Sequence, residues 1–188
     1  MIYAPIGIHI LSSLSKRLYL TYYTRKPPPT TLHISSGYLL IPFILPHILT
    51  HRILPSLDHP AIRALSPSEI GYEFVGWNLG SVTAWGTYLA LAGLGLVHWG
   101  IGSMKVVSCM KRRRGGDVVN LDKQAEQTRA SIPKRRRIGL RGILIGTMGL
   151  ITIGLARIWS ESKGSISSVM AKRYEAVYRQ LPWGNIYL

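Results

Sequence analysis

SVTAWGTYLALAGLGLVHWGIGSM, residues Ser81–Met104, contains no Asp, Glu, Lys or Arg. A helix rises about 1.5 Å per residue, so about 20 apolar residues cross the roughly 30 Å hydrocarbon core of a bilayer. This stretch meets that length. Thr30–His51 meets it too, again without a charged side chain. A third segment, Ile138–Arg157, reaches it when Arg141 and Arg157 snorkel from its two ends. Met1–Ser15 is shorter and spans only if Lys16 and Arg17 snorkel. The competing reading, four buried helices of a soluble protein, fails on the linkers, which are too polar and too basic to cover them. The expected fold is therefore all-α: a transmembrane helix bundle of about four spans, without a soluble catalytic domain and with no enzymatic activity.

Of the 188 residues, 47% are hydrophobic, yet the formal net charge is +15. The two figures are reconciled by where the charges lie. Lys16–Lys26 and Lys105–Arg141 together hold sixteen of the 23 Lys and Arg residues, whereas the connection between the second and third spans holds only Arg52 and Arg63. Alternating spans put the two basic segments on one face, and the positive-inside rule makes that face cytosolic. Met1 opens directly into an apolar segment with no basic region ahead of it, so any organellar address is expected to be internal. Cys109 is the single cysteine, so no intramolecular disulfide can form. It sits at a membrane edge, where palmitoylation is one reading and an inert thiol the plainer one.

The chain divides into a first helix at 1–20, a basic and proline-rich linker at 21–31, a three-span region at 32–160 containing the basic loop 105–137, and a tail at 161–188. Pro42 and Pro46 are expected to bend the second span. Glycines recur in the third (Gly86, Gly93, Gly95, Gly100, Gly102) and fourth (Gly142, Gly146, Gly149, Gly154), as suits close helix packing in lipid. In the tail, Ile166, Val169, Met170, Val177 and Leu181 recur at helical spacing between Lys172, Arg173 and Arg179. That pattern fits an interfacial helix ending in the aromatic anchors Trp183 and Tyr187, or a plain soluble tail helix.

Lys111-Arg112-Arg113-Arg114 and Lys134-Arg135-Arg136-Arg137 bracket the basic loop. In a soluble protein such clusters would point to nucleic acid. Here both abut spans, which favours a topology signal with attraction to anionic lipid headgroups, about 1 kcal/mol per basic residue near the surface. A docking site for a protein partner comes second, and nucleic acid is not expected. Arg129-Ala130-Ser131 fits a basic-directed phosphorylation site that would weaken the attraction.

His9 lies seven residues before Lys16, and His98 seven before Lys105. Helices running in the same direction thus place both imidazoles at one depth, about 10 Å below the polar boundary. Ser12 and Ser13 follow one, Gly100 and Gly102 the other, leaving room beside each ring. Two facing histidines at one depth are what bis-imidazole ligation of a b-type haem needs. The alternative is a hydrogen-bonded pair that packs the bundle. His47 and His51, four residues apart beside Arg52, have zinc-ligand spacing but no third ligand, so no metal is expected there.

Leu32-His33-Ile34-Ser35-Ser36-Gly37-Tyr38 opens a span that closes with Pro46-His47-Ile48-Leu49-Thr50-His51-Arg52-Ile53-Leu54-Pro55. Trp85-Gly86-Thr87-Tyr88-Leu89 and Gly95-Leu96-Val97-His98-Trp99-Gly100 follow. Over roughly residues 32–160 these strings resemble the transmembrane domain of the fungal mitochondrial outer-membrane adaptor family. That domain is itself similar to the membrane anchor subunits of succinate dehydrogenase and fumarate reductase, with the His98 segment resembling their haem-ligand helix. The resemblance implies a multi-pass outer-membrane adaptor acting in lipid homeostasis and organelle contact, its basic loops cytosolic, that recruits a bridge-like lipid-transfer protein. The second function it implies is a haem-b anchor subunit of an electron-transfer complex, with His9 and His98 as axial ligands. The family pattern places a cytosolic region and a further span ahead of the first helix. The proline-containing recruitment motif is therefore expected to be missing unless Lys26-Pro27-Pro28-Pro29 takes its place.

Overall fold

Backbone chemistry sets where each helix stops. A computed structural model describes residues 3–57, 59–62, 65, 70–114 and 134–182, without the side chains of 111–114, 134–138 and 140. Helix α1 covers Tyr3–Thr24, running on past Lys16 and Arg17, which favour a helix interior. Thr21 and Thr24 bond back to the carbonyls of Arg17 and Leu20 at 2.9 and 2.7 Å. Arg25, at φ 55°, turns the chain out of the helix. Arg17 then folds the proline linker back on α1, donating through Nη2 to the Pro28 carbonyl and to Thr30 Oγ1, both at 3.1 Å.

Helix α2, Leu32–Ile48, is capped by the Thr31 hydroxyl, which accepts from the Ile34 amide. Pro42 and Pro46 lie inside it. Pro46 has no N–H to give the carbonyl of Pro42, and the helix slackens beyond it. Leu49–Ile53 form a wider π turn, in which the Leu54 amide reaches back to the Leu49 carbonyl. A tight 3-10 turn, Leu54–Ser56, ends the element. Helix α3 is Tyr72–Asn78, α4 is Val82–Arg114, α5 is Lys134–Ser162 and α6 is Ser168–Arg179. At about 1.5 Å per residue, the 33 residues of α4 outreach the hydrocarbon core and carry Lys111–Arg114 beyond it.

The all-α bundle expected from the sequence is the architecture observed. Among the described residues, three segments are long and apolar enough to cross a membrane: Leu32–Ser56, Val82–Met110 and Arg141–Ser162. Helix α1 has the length but not the apolar composition, since Ser12, Ser13, Ser15, Lys16 and Arg17 interrupt it. The spanning segments bury little against each other. No residue in the apolar window of Arg141–Ser162 is buried, and Leu39, Trp99, Ile145 and Leu150 are exposed at 56, 65, 73 and 72%. Apolar side chains facing outward along three helices are what a lipid solvent permits and water does not.

The buried core lies at one end of the bundle, where the Leu32–Ser56 segment finishes. Leu54, Ile62, Leu65 and Phe74 pack there against Tyr174, Val177, Tyr178 and Leu181 of the tail. Helix α6 is thus a docked cap. Its buried face runs through Met170, Tyr174, Val177 and Leu181, while Val169, expected on the apolar stripe, is 59% exposed. Gly76 of α3 lies against Ser162 of α5 so closely that any Cβ there would collide with it. The anchors Trp183 and Tyr187 lie outside the described residues.

Candidate functional site

Helices α2 and α4 run antiparallel, so the start of α2 meets the middle of α4, and the end of α2 meets the start of α4. Each meeting point holds histidines. At the first, the His33 and His98 rings stack with centroids 4.2 Å apart and planes 11° from parallel. The His33 Nδ1 donates to the His98 carbonyl at 3.1 Å, and the His98 Nδ1 donates to the His33 carbonyl at 2.9 Å. A carbonyl only accepts, so each ring carries its proton on Nδ1 and keeps Nε2 free of these bonds.

The same reciprocity governs the packing. His33 and Gly37, like His98 and Gly102, are four residues apart, and each ring lies on the other helix's glycine. A Cβ on Gly37 would come within 2.8 Å of His98 Cε1, and one on Gly102 within 3.0 Å of His33 Cε1. Any side chain at Gly37 would push the ring away. His9 of α1 meets His98 edge-on, with centroids 6.0 Å apart and planes at 76°. The two histidines expected at one depth are therefore neighbours. His33, the third member, was not singled out by the depth argument. The paired His-x-x-x-Gly spacing at 33–37 and 98–102 is the signal that identifies it. A haem ligand of this kind uses Nε2 while its Nδ1 proton is held by an acceptor, and the bond from His98 Nδ1 to the His33 carbonyl meets that requirement.

At the second meeting point, the π turn brings the His47 and His51 rings to 4.3 Å between centroids. His51 Nε2 shares a hydrogen bond with the Tyr88 hydroxyl at 3.3 Å, and the buried Asn78 donates to the same hydroxyl from 3.1 Å. Phe74 meets the His51 ring edge-on at 5.0 Å. Thr50 closes the turn by donating to the Pro46 carbonyl at 2.8 Å. A void of about 30 Å³ lies among Pro46, Thr50, Ala84 and Tyr88. A cleft of about 250 Å³ opens beside it, lined by Tyr3, His47, Ile48, His51, Arg52 and Ile70. Among the described residues, no three His, Cys, Asp or Glu side chains come together as a metal site. The structure gives His51 a tyrosine as its hydrogen-bond partner, and gives that tyrosine an asparagine.

The basic clusters occupy helix ends. Lys111–Arg114 form the last turn of α4 and Lys134–Arg137 the first of α5; their side chains, and the loop 115–133 with Ser131, lie outside what is described. Cys109 is exposed near the end of α4.

A family sequence model described as the transmembrane domain of MDM10-complementing protein 1 matches residues 42–164. The chain belongs to that family. No curated protein and no solved structure matches it. The matched region runs from the prolines of α2, through the His47 and His51 turn, α3 and α4, to the end of α5. Within this MDM10-complementing domain lie His98 and Gly102, whereas His9, His33, Gly37 and the α6 cap lie outside it. With three apolar spans and that domain, the protein is a multi-pass membrane protein.

Proposed function

We propose that the protein is a non-enzymatic adaptor of the mitochondrial outer membrane, acting in lipid homeostasis and organelle contact, with its basic face in the cytosol. The observation that carries this reading is the asymmetry of the bundle's two ends. Helices α4 and α5 run beyond the membrane at one end into Lys111–Arg114 and Lys134–Arg137. At the other end a small apolar cap closes the bundle. One end thus presents a concentrated positive charge, suited to anionic lipid headgroups and to a docked bridge-like lipid-transfer protein. Membership of the MDM10-complementing family and the resemblance to the mitochondrial adaptors agree with it. Tags placed in 115–131 should be cut by protease on intact mitochondria, and tags between 56 and 62 should be protected. Equal cleavage of both loops would remove α2 or α4 as a spanning helix and reject the orientation.

A second reading rests on the histidine geometry: a haem b held by His98 and His9. The Nδ1 proton of His98 is already committed to a carbonyl, and the His9 ring stands 6.0 Å from it. Haem would supply one-electron chemistry there, while the chain's own contribution is to fix the His98 tautomer and ring orientation. Sharp reduced-state absorption bands in the purified protein, lost in His98→Ala and kept in His47→Ala, are the expected signature. A colourless protein rejects it.

A further inference from the structure

The cleft at the end of α2 is built from donors. Arg52 supplies a permanent positive charge in a planar fork that matches phosphate oxygens. His47 and His51 add imidazole nitrogens, and Tyr3 of α1 adds a phenol. Among the described residues no carboxylate lines the cleft, and neither the Arg52 nor the His47 side chain has an ion pair or a hydrogen bond. The two imidazoles meet at 4.3 Å between centroids, tilted by 37°, at the start of a π turn, and such turns recur at functional positions. Tyr88, itself bonded by the buried Asn78, holds His51 from behind.

Size and position narrow the ligand. At about 250 Å³, the cleft far exceeds the roughly 30 Å³ that one water occupies in the liquid. It falls below the roughly 300–1,000 Å³ of sites that engulf a drug-sized molecule. A headgroup fits and acyl chains do not. They have somewhere to go: the cleft lies at the end of the Leu32–Ser56 span, Ile48 forms part of its wall, and Leu45, three residues earlier on the helix, is 48% exposed.

We propose that this cleft binds the phosphate of a phospholipid headgroup, with Arg52 and His47 holding the phosphate oxygens. The site is at the end of the bundle opposite Lys111–Arg114, so it stands whether or not the basic loop binds lipid or a partner. The shared chemistry is the phosphate group, and a free phosphate ion is the competing source.

The test uses the full chain in maltoside micelles, which contain no phosphate. Carbethoxylation of each histidine by diethylpyrocarbonate is followed by mass spectrometry. Dihexanoyl phosphatidic acid at about ten times its Kd should slow modification of His47 about tenfold, with His9, His33 and His98 unchanged. Arg52→Gln, at an exposed position, should raise the lipid concentration needed by about tenfold or more, because a charge-assisted pair is lost. Equal protection by dihexanoylglycerol would show that only the apolar tail binds and would overturn the proposal. Absence of protection, or full protection in Arg52→Gln, would do the same. Inorganic phosphate protecting as well as the lipid would reject the headgroup and assign the cleft to a free anion.

Discussion

The two histidine clusters on the α2–α4 seam use the same side chain in opposite ways. His33 and His98 spend their Nδ1 protons on each other's backbone and lie flat on glycines, so the two helices cannot separate without breaking both bonds. His47 and His51 meet at a tilt beside a cleft, and only the His51 ring is hydrogen-bonded, by Tyr88 of α4. The difference shows that an intramembrane histidine is not one kind of evidence. Where its nitrogens go, and whether a glycine or a void faces the ring, separates a lock from an open site.

The contrast predicts a ranking of stabilities. The largest effect belongs to Gly37→Val. Its Cβ would fall 2.8 Å from the His98 ring, and overpacking of this kind costs about 1–3 kcal/mol. The loss should appear as a lowered thermal midpoint of the detergent-solubilised protein. Gly95→Val, where a Cβ meets nothing within 4 Å, should stay within about 0.5 kcal/mol of the wild type. If the two variants melt together, the glycine is not there for the histidine.

Next comes His98→Ala, which removes a stacked ring pair and one hydrogen bond. Ring pairs contribute about 0.5–1.5 kcal/mol, and hydrogen bonds within membranes average about 0.6, so the cost should be about 1–2 kcal/mol. His33→Ala should cost the same. The double variant should cost clearly less than the sum, because either change alone already dismantles the stack. Strict additivity would mean that the reciprocal bonds do not act as one unit.

Much of this architecture was legible because lipid imposes length and composition. Ser81–Met104 reads as a spanning helix on charge alone, and α4 is there. His9 and His98 were matched by counting residues back from Lys16 and Lys105, since helices running the same way share one boundary. His33 escaped because α2 runs the other way and because Lys26, although seven residues before it, is separated from it by the non-helical Pro27-Pro28-Pro29, so depth cannot be counted at the helical rise. The cap escaped for a different reason. Leu54, Ile62, Leu65 and Phe74 lie in a connection without periodicity, and they become a core only when α6 arrives from more than a hundred residues later. Tyr174 and Tyr178 supply much of that core, yet a tyrosine in a membrane protein reads first as an interfacial anchor. The π turn was invisible as such. Pro46 signals a bend, but which hydrogen bond slips depends on the Thr50 hydroxyl and on the packing of α4 beyond it.

A smaller effect is expected at Tyr88. Its hydroxyl joins Asn78 of α3 to His51 of the π turn, and Tyr88→Phe leaves the ring while stranding the buried Asn78 amide. Loss of one intramembrane hydrogen bond gives a cost of about 0.6–1 kcal/mol. The same change should speed carbethoxylation of His51, whose Nε2 is released, without altering His33. An unchanged His51 rate would place the restraint in the Phe74 contact instead.

The smallest effect should come from His47→Phe. In a buried, hydrogen-bonded setting this exchange costs twice, by losing the bond and by overfilling the site. Neither penalty applies here. The His47 ring has no hydrogen bond among the described residues, and a phenyl ring can keep the tilted contact with His51, now 4.3 Å between centroids. The extra bulk of a phenyl ring can extend into the cleft of about 250 Å³ on the same side. Stability should therefore stay within about 0.5 kcal/mol of the wild type, the range of substitutions that break no packing or polar contact. The thermal midpoint of His47→Phe, measured beside that of His98→Ala, decides the matter. If both fall together, His47 is held as tightly as His98, and the division of the seam into a lock and an open site is wrong.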